Sequence, residues 1–164
     1  MKQDVDTVIK YQEMINNKFM CAAIKEAQKA FDKNEVPVGC VIVKDNKIIA
    51  KAHNQRRTKN SVLAHAELIA IQKANNKLKT WILEGCTIYV TLEPCPMCAG
   101  AILQSRMDEV VFGAYEPKFG ACGSIVNLLD QKEFNHQVKI TGGVMKDVCS
   151  TMLKKFFQIL RQIH

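Results

Sequence analysis

No apolar run in this 164-residue sequence approaches the length a bilayer requires, and residues 1–18, polar and mixed in charge, lack the apolar stretch of a secretory signal. These absences argue against a membrane-spanning or exported protein and predict a soluble, cytoplasmic chain. Also missing is the dense, even cysteine framework of a small secreted scaffold: the seven cysteines are odd in number and scattered. Cys95 and Cys98 read as metal ligands, and Cys21, Cys40, Cys86, Cys122 and Cys149 as small buried hydrophobes. No internal repeat or linker interrupts the chain, so one domain over residues 18–164 is expected, preceded by an extension (1–17) that fits no motif. Acidic side chains are absent from Val148 to His164, a segment carrying Lys154, Lys155 and Arg161. With a formal net charge of +7, this one-signed tail suits a polyanionic partner such as RNA.

What is present is a regular alternation of periodicities. Met20, Ala23, Ile24, Ala27 and Phe31 recur at helical spacing, which predicts an amphipathic helix over Phe19 to Phe31. The β-branched and apolar runs Val38–Val43 and Lys47–Ala52 flank Asp45-Asn46 and read as a hairpin. A second helix is expected from His65 to Lys73. A buried strand over Cys86–Leu92 is stopped by Glu93-Pro94, because proline lacks an amide hydrogen and restricts its predecessor. Pro96–Gln104 reads as helix, Glu109–Phe112 as a short strand and Gln137–Thr141 as a weaker one. A terminal helix over Val144–Ile163 places Leu153, Phe156, Phe157 and Leu160 on its apolar side. This order predicts an α/β domain of three layers, α/β/α, with a mixed central sheet and helices on both faces.

Two short segments carry the chemistry: His65-Ala66-Glu67 at one helix start and Pro94-Cys95-Pro96-Met97-Cys98 at another. Three residues apart in a first helical turn, Cys95 and Cys98 share a face, and the helix N-terminus favours their thiolates. With His65 as third ligand, a zinc ion has one imidazole and two thiolates and keeps a fourth tetrahedral position open, the mark of a catalytic site. Glu67, two residues beyond a ligand, is placed to carry protons for a water at that position. Taken alone, C-x-x-C would read as a structural zinc site or two buried thiols. H-x-E upstream of P-C-x-x-C is instead the known signature of zinc nucleobase deaminases.

The resemblance extends from about Met20 to Arg161. It is carried by Glu35-Val36-Pro37-Val38-Gly39, Ala52-His53-Asn54, Ala64-His65-Ala66-Glu67, Tyr89 to Cys95, Met97-Cys98-Ala99-Gly100, Val110 to Ala114, Gly123-Ser124 and Phe134-Asn135-His136. On these segments the chain resembles the bacterial tRNA-specific adenosine deaminases of the cytidine deaminase-like superfamily. That resemblance implies hydrolysis of adenosine to inosine at the first anticodon position of an arginine tRNA, by a homodimer with one zinc per subunit. It implies His65, Cys95 and Cys98 as ligands and Glu67 as proton shuttle, Asn54 bonding the flipped nucleotide and Val38 lining the base pocket. Lys118, Phe157 and Arg161 match positions that hold the tRNA anticodon stem-loop. No DNA substrate is expected.

Leu63, where threonine is usual, and Pro96, where valine is common, depart from the family pattern. Pro96 suits a first helical turn, yet proline there also occurs in guanine deaminases, which keeps a deaminase of free guanine or cytidine as an alternative. A non-catalytic RNA-binding protein with structural zinc is the other, and it has no use for Glu67.

Overall fold

A computed structural model describes residues 2–163. Four helices and five strands follow in order: α1 (Lys2–Asp32), β1 (Gly39–Lys44), β2 (Lys47–His53), α2 (Ala66–Leu78), β3 (Cys86–Leu92), α3 (Pro96–Gln104), β4 (Glu109–Ala114), β5 (Lys139–Thr141) and α4 (Lys146–Ile163). The strands form one sheet in the order β2-β1-β3-β4-β5. β1 runs antiparallel to β2 and β3, whereas β3, β4 and β5 are mutually parallel, so the sheet is mixed as expected. None of the described helices is long and apolar enough to cross a membrane.

Strand pleating sorts the apolar side chains into two layers, because alternate residues point to opposite faces. Cys40, Ile42, Ile88, Val90, Val110 and Phe112 meet Ile69, Ala70, Ala99 and Ile102 from α2 and α3. Their neighbours Val41, Val43, Tyr89 and Val111 pack with Phe19, Met20, Ala23 and Cys149 from α1 and α4. Helices therefore cover both faces, as the three-layer reading requires.

The β1–β2 turn is made by Asp45 and Asn46, both with positive φ (50° and 58°), a conformation these short polar side chains tolerate. Gly39 opens β1 directly beneath α1. A Cβ there would lie 2.2 Å from both the Ala23 carbonyl oxygen and the Ala27 amide nitrogen, neither of which can retreat without breaking the helix. Gly39→Ala is expected to destabilise the fold by about 3 kcal/mol or more, at the upper end of overpacking costs. Chemical denaturation of the variant tests this.

Two expectations, on the first helix and on Cys21, need correction. The first helix begins at Lys2, not Phe19: residues 2–18 contain no glycine or proline to interrupt it, so it extends well ahead of the stretch read as helical. The segment read as an extension is thus continuous with α1. Cys21 is exposed, since Met20 and Ala23 take the sheet-facing positions and turn it outward. On α4, Phe156 is buried against Phe31, while Phe157 remains 40% exposed.

Candidate active site

The N-termini of α2 and α3 meet at the edge of a cleft of about 460 Å³. His65 and Cys95 occupy the two N-cap positions in extended backbone conformation, and neither side chain makes a capping hydrogen bond. Pro96 sits in the first turn of α3, where its missing amide hydrogen costs nothing. One turn on, Cys98 is fully buried. His65 Nδ1 lies 3.7 Å from Cys95 Sγ and 3.4 Å from Cys98 Sγ, and the three donor atoms lie within 4.8 Å of one another.

These separations fit a shared cation. A tetrahedral ion bound to sulfur at about 2.3 Å and to imidazole nitrogen at about 2.0–2.1 Å separates nitrogen from sulfur by about 3.6 Å. The donor set, one borderline nitrogen and two soft sulfurs, suits a metal of zinc type. The three residues expected to be ligands are therefore brought together.

The electrostatics are those of closely coupled, partly buried groups. The hydrogen bond from the Cys98 thiol, aided by His65, pulls the Cys95 thiol down to about 4. Cys98 is pushed up because it bonds to Cys95 in a buried position, and the bond to Cys95 also raises His65. Mutual hydrogen bonding thus favours the thiolate at Cys95 and, together with burial, disfavours it at Cys98. Glu67, 4% exposed at the cleft floor, is driven above the usual carboxylate range by burial. A carboxyl so placed exchanges a proton with a reacting group more readily than one in water.

Asn54 and Val38 also line the cleft. The Asn54 carboxamide donates to the Val36 carbonyl (3.2 Å) and accepts from the Arg56 amide (3.0 Å), leaving one N–H and one lone pair for a ligand. Lys118, Phe157 and Arg161 lie outside this lining, all exposed: Lys118 on the loop following β4, the other two on the outer side of α4.

The cleft also contains residues that sequence reasoning did not assign: Arg56, Glu116, Phe119 and Met97. Two buried acids went unassigned as well: Glu93, which lines the cleft, and Glu35, which lies outside its lining. Glu35 accepts from the amides of Arg57 and Thr58 and thereby pins the β2–α2 loop. Glu93 accepts from the amides of Glu116, Cys122 and Ser124, each at 3.1 Å, and from the Ser124 hydroxyl. Each acid lies close to a proline, in Asn34-Glu35-Val36-Pro37 and Leu92-Glu93-Pro94, and only Glu93 interrupts an apolar run, the one available signal.

A family model described as MafB19-like deaminase matches residues 14–161. Over 144 residues, 88% of this chain and 89% of the relative, the sequence is 53% identical to the tRNA-specific adenosine deaminase of Bacillus subtilis strain 168. The chain belongs to the tRNA-specific adenosine deaminases, within the MafB19-like deaminase family. A solved structure from a study of A-to-I editing by tRNA:A34 deaminases at the wobble position of transfer RNA is 39% identical, covers 83% of this deaminase and 99% of that chain, and superimposes with a TM-score of 0.80. The guanine deaminase of Bacillus subtilis, 40% identical, covers 60% of this chain and 63% of its own, with a TM-score of 0.57. This deaminase is an enzyme with the cytidine deaminase-like α/β fold, and its first helical turns lie ahead of the family match.

Proposed function

We propose that this enzyme is a zinc-dependent hydrolase that converts adenosine to inosine at the wobble position of tRNA, an arginine tRNA among its substrates. In this reading it works in the cytoplasm as a homodimer with one zinc per subunit. The observation that carries the proposal is the convergence of His65, Cys95 and Cys98 at a cleft floor where Glu67 is buried against them. When bound there, zinc supplies Lewis acidity that brings the pKa of a water toward neutrality.

The chain's own groups account for the remaining steps. Glu67 accepts a proton from the water attacking the amine-bearing carbon of adenine, then returns protons to the ring and to the departing amine. One water is consumed and one ammonia leaves. Asn54 holds the flipped nucleotide through its spare N–H and lone pair, and Val38 forms an apolar wall against the base. A base must leave its stack to reach this floor, and extrusion costs least from a single-stranded loop. Lys118, Phe157 and Arg161 engage the anticodon stem-loop outside the cleft.

Asn54→Ala is expected to lower kcat/KM by about 10- to 100-fold, the equivalent of a ~1–3 kcal/mol penalty for buried polar groups left unpaired. Steady-state kinetics on an anticodon stem-loop measures it. Substrate class is tested by ammonia release from that stem-loop, adenosine, guanine and cytidine. Release from the stem-loop supports the proposal, and release confined to guanine or cytidine refutes it.

A further inference from the structure

Around the Glu93 carboxylate, residues 116–124 are wound into a tight loop. Besides the bonds to Glu116, Cys122 and Ser124, the Gly120 amide donates to the Glu116 carbonyl and the Ala121 amide to the Pro94 carbonyl, both at 2.9 Å. Packing at the turn is so close that a Cβ on Gly120 would lie 2.4 Å from Glu93 Oε2 and from the Glu116 carbonyl oxygen. The loop is thereby tied to the Pro94-Cys95 turn that carries a metal ligand.

One side chain points away from this anchored structure. Phe119 lines the cleft yet is 65% exposed. An aromatic ring left in water on a braced loop at the mouth of a cleft forfeits its burial energy until something covers it. The chemistry that matches it is a nucleobase, whose π-face stacks on aromatic rings whatever its identity. Charge on both sides agrees: Arg56 lines the cleft and exposed Lys118 adjoins Phe119, placing cations for the phosphates of a strand entering here.

We propose that Phe119 is a stacking platform for the nucleotide adjoining the target base, held in place by the Glu93-anchored loop. The inference rests on the reading of the enzyme as one that acts on RNA. Glu93 in this account is a positioning residue, and Phe119 is the group that touches substrate.

The test uses the zinc-loaded enzyme and an anticodon stem-loop, intact or carrying an abasic residue on either side of the target adenosine. Phe119→Ala is expected to raise KM for the intact stem-loop about 5- to 100-fold, with metal content and kcat at saturation unchanged. Phe119→Trp is expected to keep the wild-type KM. One of the two abasic substrates should cost the wild type the same factor and cost the alanine variant nothing, because ring and base then form one interaction. Unchanged KM in Phe119→Ala, a fall confined to kcat, or additive effects of variant and abasic substrate would each overturn the platform alone. If the wild type leaves the intact stem-loop unreacted, the RNA reading itself fails and the platform falls with it.

Discussion

Glu67→Gln is expected to lower deamination by about 10²- to 10⁴-fold, the usual contribution of a positioned proton-transfer group, while leaving the metal content unchanged. Glutamine matches the shape of the acid but can neither take a proton from water nor return one to the leaving amine. The same replacement should stabilise the metal-free fold, and the sign follows from the direction of the shift. Burial raises the folded-state pKa of Glu67 above its unfolded value. Below the unfolded value both states hold the proton and the carboxyl costs nothing. Above the folded value the fold bears a buried charge that the unfolded chain solvates. The neutral variant should therefore melt at higher temperature near pH 7, and the difference should close as pH falls toward about 4.3, the ordinary glutamate value. Thermal denaturation across pH checks this. A variant inactive yet more stable separates lost chemistry from a damaged fold, whereas full activity would remove Glu67 from the mechanism.

The second large effect concerns the cluster itself. Cys98 is the fully buried member of the candidate cluster, bonded to His65 and Cys95. Cys98→Ala leaves two donors, too few to hold zinc against competing water in an open site. Metal content by atomic emission should fall to a small fraction of one equivalent, and activity by about 10³-fold or more, corresponding to ~4 kcal/mol of lost transition-state stabilisation. Chelation of the wild type should reach the same floor, and zinc should restore the wild type but not the variant. Metal retention at full stoichiometry would contradict the assignment of Cys98.

The convergence of His65, Cys95 and Cys98 was legible because each spacing is local. Cys95 and Cys98 are one turn apart on α3, and His65 and Glu67 open α2, so each pair is fixed by helix geometry alone. β1, β3 and β4 were legible as continuous apolar runs because both of their faces are buried, and only the ends of the strands moved. Contacts over long sequence separations stayed hidden. That Glu93 would be encircled by amides from 116 to 124, or Glu35 capped by Arg57 and Thr58, depends on loop paths with no period to read. Phe119 escaped notice for the same reason, lying in an aperiodic loop. Phe156 and Phe157 stand together in an apolar pattern that fits burial of only one of them, because one helical step of about 100° separates a buried ring from an exposed one. The early turns of α1 were missed because residues 1–18 are polar and mixed in charge, although Val5, Val8 and Ile9 stand at helical spacing.

The most direct measurement is sequencing of unmodified tRNA, by reverse transcription, before and after incubation with the zinc-loaded enzyme, because inosine is copied as guanosine. The account predicts adenosine-to-guanosine conversion at the first anticodon position, lost when Glu67→Gln replaces the wild type. An unchanged anticodon, or equal conversion by both proteins, would contradict it.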